Sequence, residues 1–356
     1  MSLDNPPVDA IAEARRQIEI CNACRYCEGY CSVFPAMTRQ SDFAAGDISH
    51  LANLCHNCRG CYYACQYTPP HEFALNLPAA LAEVRAESWA HHVGPQWLSR
   101  AFQERGAAIA GLTVLTLAAL LWALAALRPE GGEGFYAYLA HNAMIAIFAP
   151  AFLLPLVLIA LGLRSYWRET GGGDLRLSDI RAALVSAGRM KNLDGGQGQG
   201  CNFEVGDRFS NRRRHAHQAV MYGFLMCFAA TSVATLMHYG LGWPAPYPWW
   251  APPKLLGVPG GVLMVVGAAS LIRLKLRADP ELGAVRVWGG EMGFVILLGS
   301  TALTGLALYA ATGTAAVPPL LALHLATVLA LFLLMPWSKM VHGFFRLSAL
   351  IAEAAK

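Results

Sequence analysis

The chain contains the stretches CNACRYCEGYC, residues 21–31, and CHNCRGCYYAC, residues 55–65, which hold eight of its ten cysteines. In both stretches the four cysteines are separated by two, two and then three residues. Three cysteines at such short intervals require a tight loop that turns its side chains towards a common centre. The repeat therefore predicts two sets of metal ligands in the first part of the chain.

This spacing is typical of paired [4Fe-4S] clusters, in which three cysteines of a run bind one cluster and the fourth crosses to the other. The predicted sets are Cys21, Cys24, Cys27 and Cys65 for the first cluster, and Cys31, Cys55, Cys58 and Cys61 for the second. Zinc sites usually use paired C-x2-C knuckles set well apart, which argues against zinc. Disulfides need an oxidising compartment, and no secretory signal precedes these cysteines.

The remainder of the chain has the composition of a membrane protein. Only 14% of residues are charged and 55% are hydrophobic, whereas about a quarter of the residues of a soluble domain are charged. Six apolar runs are long enough to cross roughly 30 Å of hydrocarbon. They cover approximately residues 107–127, 140–163, 219–241, 255–276, 292–311 and 320–341. Pro150, Pro155 and Pro336 lie inside these runs, where neighbouring helices can satisfy the freed carbonyls.

We therefore predict a mainly α protein with a two-cluster ferredoxin-like domain, α+β or mostly helical, at residues 1–82. An interfacial amphipathic linker helix follows at 83–106, and a six-helix membrane bundle at 107–356. Arginine and lysine are concentrated in the loop 164–214, in the loop 273–290 and in the C-terminal tail. The other connections hold almost none: Arg128 in 128–139, Lys254 in 242–254, and no basic residue in 312–319.

This charge pattern predicts the orientation of the chain in the lipid bilayer. Basic loops stay in the cytoplasm, so both termini, the cluster domain and the loop 164–214 are expected there. The segment WPAPYPWW, residues 243–250, is typical of an aromatic belt at the outer surface. The net charge of +4 needs no nucleic-acid partner, because the basic residues lie where the topology requires them.

Four histidines lie near the ends of the third and sixth spans: His217, His238, His324 and His342. On antiparallel helices, His217 is expected at the level of His342 near the cytoplasm, and His238 at the level of His324 near the outside. His324 and His342 also fall on one stripe of a continuous helix. Each level predicts bis-histidine ligation of a b-type haem, so that one or two haems are bound.

Other polar groups have alternative interpretations. His141 can replace one outer haem ligand, and His215 competes more weakly with His217. The glycine-rich segment 195–200 lacks the preceding strand of a nucleotide-binding loop, so we expect a flexible or partner-docking loop. Glu291 serves either proton uptake at a quinone site or the N-terminus of its helix. The histidine pair 91–92 is interpreted as interfacial.

The two cysteine runs, the six spans and the segments 195–203, 212–239 and 320–346 resemble the tricarballylate-utilisation protein B family. That family is also called CitB-like and is similar to the C-terminal half of CobZ-type fusion proteins. The resemblance covers nearly the whole chain. It implies a carrier in the bacterial inner membrane that passes electrons from an FAD-containing dehydrogenase, of the tricarballylate dehydrogenase type, to the membrane quinone pool.

The resemblance assigns the eight cysteines and the four histidines named above as cofactor ligands. At the family's paired histidine this chain has His217-Gln218, which leaves His217 as the ligand. Other functions share these features: the iron–sulfur and membrane subunit of another respiratory dehydrogenase or reductase, an electron partner in CobZ-type corrin synthesis, or a redox sensor without turnover. No Ser–His–Asp set, paired carboxylates or flavin fingerprint is present, so we expect no dehydrogenase activity from the chain alone.

Overall fold

A computed structural model describes residues 9–126, 138–204, 208–243 and 245–356. Leu127, Arg128 and Pro244, which belong to the predicted first span and outer loops, lie outside these ranges. The described residues form helices and connecting turns, with one isolated β-bridge between Cys201 and Ser210. The predicted mainly α fold is confirmed, and the N-terminal domain is the mostly helical alternative.

The described part of the N-terminal domain is built from five helices. They are α1 (Ala10–Cys24), α2 (Val33–Thr38), α3 (Ala45–Leu54), α4 (Gly60–Tyr63) and α5 (Leu77–Val93). The carboxylate of Asp9 caps α1 by accepting a hydrogen bond from the Ile11 N–H at 3.0 Å, which satisfies one of the free donors of the first turn. Ile18, Ile48 and Leu51 are fully buried in the core between these helices.

Both cysteine runs begin where a helix ends. Helix α1 includes Cys21 and ends after Cys24, with Arg25 in the left-handed region at φ 58°. Helix α3 ends one residue before Cys55, which is extended. The chain leaves the helical path at these points, so the following cysteines can curve round a common centre.

The segment 83–106, predicted as one interfacial helix, is divided in the structure. Helix α5 ends before Gly94 and Pro95, and α6 (Gln96–Ala126) begins directly afterwards. Proline has no N–H to donate and disfavours helical backbone in the preceding residue, which explains the break. Much of α5 lies inside the protein, with Trp89 only 8% exposed.

In the ranges that the structure describes, six helices are long and apolar enough to cross a membrane, which agrees with the six predicted spans. They are α6, α7 (His141–Glu169), α9 (Arg212–Leu241), α10 (Pro252–Arg277), α11 (Trp288–Ala310) and α12 (Val317–Leu334), while α8 (Leu177–Arg189) lies between the second and third spans. Phe294, Leu297 and Ala330 belong to the buried core of the bundle. Pro150 and Pro155 lie within α7 without ending it.

The sixth span ends earlier than predicted. Helix α12 stops at Leu334, and a turn containing Pro336 leads to a separate helix, α13 (Val341–Ala354). The expected stripe through His324 and His342 was wrong, because these residues lie on two different helices. Proline removes a backbone donor and clashes with the preceding turn, which favours a break at this place.

Helix α13 connects the bundle to the N-terminal domain. Its Ala349 is fully buried in the same core as Ile18 and Ile48 of the N-terminal domain. Its Phe345 is fully buried with Tyr166 of the second span. One short helix after the last span thus packs against both parts of the protein.

Candidate functional site

The cysteines of the two runs line two cavities in the N-terminal domain. The first cavity has a volume of about 250 Å³, and its lining includes Cys21, Cys24, Cys27, Cys61 and Cys65. The second has a volume of about 20 Å³, and its lining includes Cys31, Cys55, Cys58 and Cys61. Each cavity thus gathers the four thiols predicted for one cluster, including the cysteine that crosses from the other run. Four thiols form a donor set that fits a [4Fe-4S] cluster.

The surroundings of the cysteine thiols keep them protonated until a metal ion replaces the protons. Burial raises the pKa of Cys21 and Cys27 to about 12, with the neighbouring cysteines adding to the effect. Burial also raises the pKa of Cys58 to about 11. The Asn57 N–H donates to the sulfur of Cys55 at 3.4 Å, a contact of the kind that stabilises a bound thiolate. Iron binding at these positions must therefore release protons.

Three arginines from three helices hold the second cysteine run. Arg85 of α5 donates to the Cys55 carbonyl at 2.8 Å, and Arg346 of α13 donates to the same oxygen at 2.7 Å. Arg213 of α9 donates to the Asn57 carbonyl at 2.6 Å. Hydrogen bonds from charged donors are stronger than those between neutral groups. The three arginines therefore fix the second cysteine run against the bundle and place positive charge around the second cavity.

His217 and His342 meet at the end of the bundle that faces the cysteines. Their ring centres lie 5.9 Å apart with planes at 79°. An iron bound about 2.0 Å from one nitrogen of each imidazole needs ring centres roughly 6 Å apart, so this pair fits bis-histidine ligation. The Nδ1–H of His342 donates to the Lys339 carbonyl, which leaves its Nε2 as the ligand atom. The Nδ1 of His217 is buried and makes no hydrogen bond among the described residues.

Each histidine of this pair lies one helical turn from one of the arginines that hold the second cysteine run. Arg213 precedes His217 by four residues on α9, and Arg346 follows His342 by four residues on α13. Four residues correspond to a rise of about 6 Å along the same helix face. The arginines reach the carbonyls of the second run, so the histidine pair lies directly beneath that run.

At the opposite end of the bundle the contacts differ from the predicted pairing. The ring of His238 stacks on that of His141, with centres 4.9 Å apart. His141 Nε2 also shares a hydrogen bond of 2.7 Å with the Tyr239 hydroxyl. His324 Nδ1 shares one of 3.1 Å with the Thr304 hydroxyl. The pairing of His238 with His324 stays a prediction, and His141 is the histidine that the structure brings to His238.

The glycine-rich loop, expected to be flexible or to dock a partner, packs on the cysteine runs. The Asn202 N–H donates to the Cys58 carbonyl at 3.0 Å. The Asn192 side-chain oxygen accepts from the Ser32 N–H at 3.1 Å. Sequence reasoning did not find this role, although the two asparagines that flank the glycines are the kind of residue that fixes turns.

Two features make this packing close. Gly196 has φ +83°, and a Cβ at this position would lie 2.2 Å from the Gly29 carbonyl oxygen. Phe203 lies between two guanidinium groups, with Arg59 at 4.6 Å and Arg213 at 4.0 Å from its ring centre. Cation–π contacts of this kind are attractive when partly desolvated. The loop therefore covers the second cysteine run.

Glu291 lies in a charged cluster at the same end of the bundle. Its carboxylate accepts hydrogen bonds from the ammonium groups of Lys275 and Lys339, the latter at 2.6 Å. The carboxylate is thus shared by two cations that hold α10, α11 and the turn before α13 together. This is the arrangement expected of a structural carboxylate, and proton uptake through Glu291 stays a prediction.

Two family models match this chain. Residues 104–356 match the family model described as "Citrate utilization protein B", and residues 14–91 match the model "Citrate utilization protein B Fer4-like domain". The chain is 43% identical over 350 residues to "Citrate utilization protein B" of Escherichia coli, covering 96% of this chain and 92% of that protein. No solved structure matches the chain.

Proposed function

Because this chain belongs to the citrate utilization protein B family, we propose that it carries electrons in a membrane. It accepts them from a partner FAD-containing dehydrogenase, of the tricarballylate dehydrogenase type, and delivers them to the quinone pool. Two [4Fe-4S] clusters and at least one b-type haem, when bound, supply the one-electron carriers for this transfer.

The main support for this proposal is the position of the His217–His342 pair, which lies one helical turn below the arginines that hold the second cysteine run. Arg213 and Arg346 each donate to carbonyls of that run. These contacts favour a short distance between the second cysteine set and the histidine pair, as electron transfer requires. The proposed order of the carriers is the first cysteine set, the second cysteine set and then the histidine pair.

The side chains have separate tasks in this arrangement. The eight cysteines hold the clusters in their predicted sets, and His217 and His342 hold the inner haem. Arg213 and Arg346 fix the distance between the second set and the histidines. Burial, followed by the neighbouring arginine, lowers the pKa of His342 well below its ordinary value, so its ring is neutral and available as a ligand.

The location follows from the basic loops. We propose that the six helices cross the bacterial inner membrane with the cysteine domain and both termini in the cytoplasm, as the positive-inside rule indicates. The first cavity then faces the cytoplasm, where a flavoprotein partner can reach it. The chain alone is expected to oxidise no organic acid, since its candidate residues bind carriers and do not form an acid–base pair.

The test is an optical difference spectrum, reduced minus oxidised, of the purified protein in detergent, with iron and pyridine haemochrome measured on the same sample. Two four-iron clusters predict about eight cluster irons per chain. His217→Ala and His342→Ala are expected to lose the inner haem and keep the cluster iron. His215→Ala is the matched control, because this exposed histidine lies two residues from His217 on the same helix.

The proposal is supported if the His217 and His342 variants lose haem and the His215→Ala control keeps it. Full haem content in both variants contradicts the assignment of the inner pair. A wild-type protein that contains clusters but no haem contradicts the relay itself and favours a carrier that uses iron–sulfur clusters alone.

A further inference from the structure

Three side chains that can bind a metal meet outside the cysteine cavities. His91 and His92 lie at the end of α5, and Glu169 is the last residue of α7. The Nε2 atoms of His91 and His92 lie 3.9 Å and 3.5 Å from the same Glu169 oxygen, Oε2. The donor atoms of all three residues lie within 4.8 Å of one another. The group joins the N-terminal domain to the second span.

The position of His92 is set by its surroundings. Its side chain is only 1% exposed, and its ring packs against Tyr166 and Phe345 with centre distances of 5.6 Å and 5.9 Å. Its Nδ1 shares a hydrogen bond of 3.1 Å with the Ser165 hydroxyl. A proton on Nδ1 leaves Nε2 with a free lone pair, 3.5 Å from Glu169 Oε2. That Nε2 is buried and makes no hydrogen bond to any residue that the structure describes.

The backbone around the group is also closely packed. A Cβ at Gly162 would lie 3.0 Å from the His92 carbonyl oxygen, so α7 approaches α5 as near as a glycine permits. The spacing of His92 and Glu169 is therefore fixed by the packing of the two helices. A ligand set held in this way loses little conformational freedom when a cation binds.

We propose that His91, His92 and Glu169 bind a divalent transition-metal ion, with zinc(II) the best match, which clamps α5 to the second span. Two imidazoles and a carboxylate are zinc ligands, whereas magnesium and calcium take oxygen donors. The side chains of His91 and Glu169 are 63% and 38% exposed, so water can complete a tetrahedral site. Ser165 supports the ligand His92 through Nδ1, the usual arrangement behind a metal-bound imidazole.

A histidine–glutamate ion pair is the simpler explanation of the same contacts. It accounts for Glu169 and one histidine. It does not account for an Nε2 that is buried without a hydrogen bond although a carboxylate lies 3.5 Å away. It also gives no reason for the approach of both imidazoles to one oxygen. A cation between the three groups satisfies each of them.

The experiment uses the untagged full-length protein in detergent, with its clusters in place. The protein is freed of loosely bound metal by a chelator and dialysed against buffered zinc at submicromolar to micromolar free concentration. Zinc and iron are then measured on the same sample by mass spectrometry. The variants are His91→Ala, Glu169→Gln and Ser165→Ala, with His215→Ala as the control that removes an exposed histidine elsewhere.

We expect one zinc per chain in the wild type and in His215→Ala, with unchanged iron. Loss of a supporting group such as Ser165 is expected to weaken zinc binding by about 10–100-fold, and loss of His91 or Glu169 by more than that. Iron content distinguishes this site from zinc that has replaced iron in the cysteine cavities. His91 is exposed, so its replacement by alanine leaves the buried packing intact.

Two results would overturn the proposal. One is a wild-type protein that takes up no stoichiometric zinc at micromolar free concentration, which would leave an ion pair only. The other is equal zinc affinity in the wild type, His91→Ala and Glu169→Gln, which would place the bound zinc elsewhere.

Discussion

The two cysteine cavities have the same donor set and different surroundings. The first has a volume of about 250 Å³ and lies beside the exposed residues Cys24 and Tyr26, of which Tyr26 is 70% exposed. The second, about 20 Å³, is bounded by His56, by the buried Arg59 and by Asn192 of the glycine-rich loop. Equal spacing in the sequence therefore gives one site at the surface and one beneath it.

This difference suggests a division of tasks. A site near the surface suits exchange of electrons with another protein, whereas a site under arginines suits transfer into the bundle. Positive charge around a cluster also stabilises its more negative, reduced state, so the second site is expected to have the higher potential. The difference comes from helix α13, whose Arg346 holds the Cys55 carbonyl, and from the glycine-rich loop, whose Asn202 holds the Cys58 carbonyl.

The largest change in iron content is expected from cysteine substitutions that affect the two sites differently. Cys24 lines only the first cavity, whereas Cys61 lines both. Cys24→Ser should remove the first cluster and leave about four of about eight irons per chain. Cys61→Ser should leave fewer, because it disturbs both cavities. Iron quantitation and paramagnetic resonance of the reduced protein check this, and equal iron in the two variants would contradict it.

Chelation should distinguish the two sites in the unmodified protein. The first cavity is accessible, whereas release from the second requires local opening of the covering loop. Under anaerobic conditions, iron should pass to a chromogenic chelator in two phases of equal size. We expect the phases to differ in rate by roughly tenfold or more. Cys24→Ser should show only the slow phase, and a single phase in the wild type would show that the sites are equally protected.

The covering loop can be loosened at one glycine. Alanine at Gly196 places a Cβ 2.2 Å from the Gly29 carbonyl oxygen, at φ +83°. The left-handed backbone and the close contact together are expected to cost about 3 kcal/mol. Gly198→Ala is the matched control, since φ is +84° with nothing within 4 Å of its Cβ, and its cost should be about 1 kcal/mol.

Thermal loss of cluster absorbance measures both variants, and Gly196→Ala should also speed the slow phase of iron release. If both alanines have the same effect, the loop does not press on the first cysteine run, and the protection of the second site has another origin.

The smallest effect is expected from single arginines. Arg346→Gln removes a charged donor to the Cys55 carbonyl and should cost about 1.5 kcal/mol. It should also lower the midpoint potential of the second cluster. Arg25 is exposed and donates, within the described part of the chain, to the Asn22 carbonyl at 3.0 Å, so Arg25→Gln should change stability by less than about 0.5 kcal/mol. Redox titration of both variants checks the shift, and equal potentials would argue against the role of Arg346.

Local patterns in the sequence were sufficient to predict some features of the structure. The cysteine spacing predicted which thiols gather round each cavity, because three of each four lie within seven residues. The length of the apolar runs predicted six spans, because hydrocarbon thickness sets helix length. Pro336 was expected to be tolerated like Pro150 and Pro155. It instead lies in a turn whose neighbour, Trp337, donates to the Gly94 carbonyl at 2.9 Å, a contact between distant segments.

Contacts over long sequence distances were not predictable in the same way. Arg213 was interpreted as a charge that sets topology, and nothing in its neighbours indicates that it reaches Asn57, which lies 156 residues earlier. The glycine-rich segment has no strand beside it, so its packing on Gly29 has no local signal. The pairing of His217 with His342 was predicted from depth, although the continuous sixth helix assumed for it is absent.

Helix α13 has a consequence for how the protein is made. The cysteine domain is synthesised first, but Arg346 and His342 belong to the helix that follows all six spans. The second cysteine loop therefore stays without one of its clamps until translation has passed the last span. Metal binding at that cysteine set before the bundle has assembled would meet an open loop, so completion of the second site can report that the whole chain has been made.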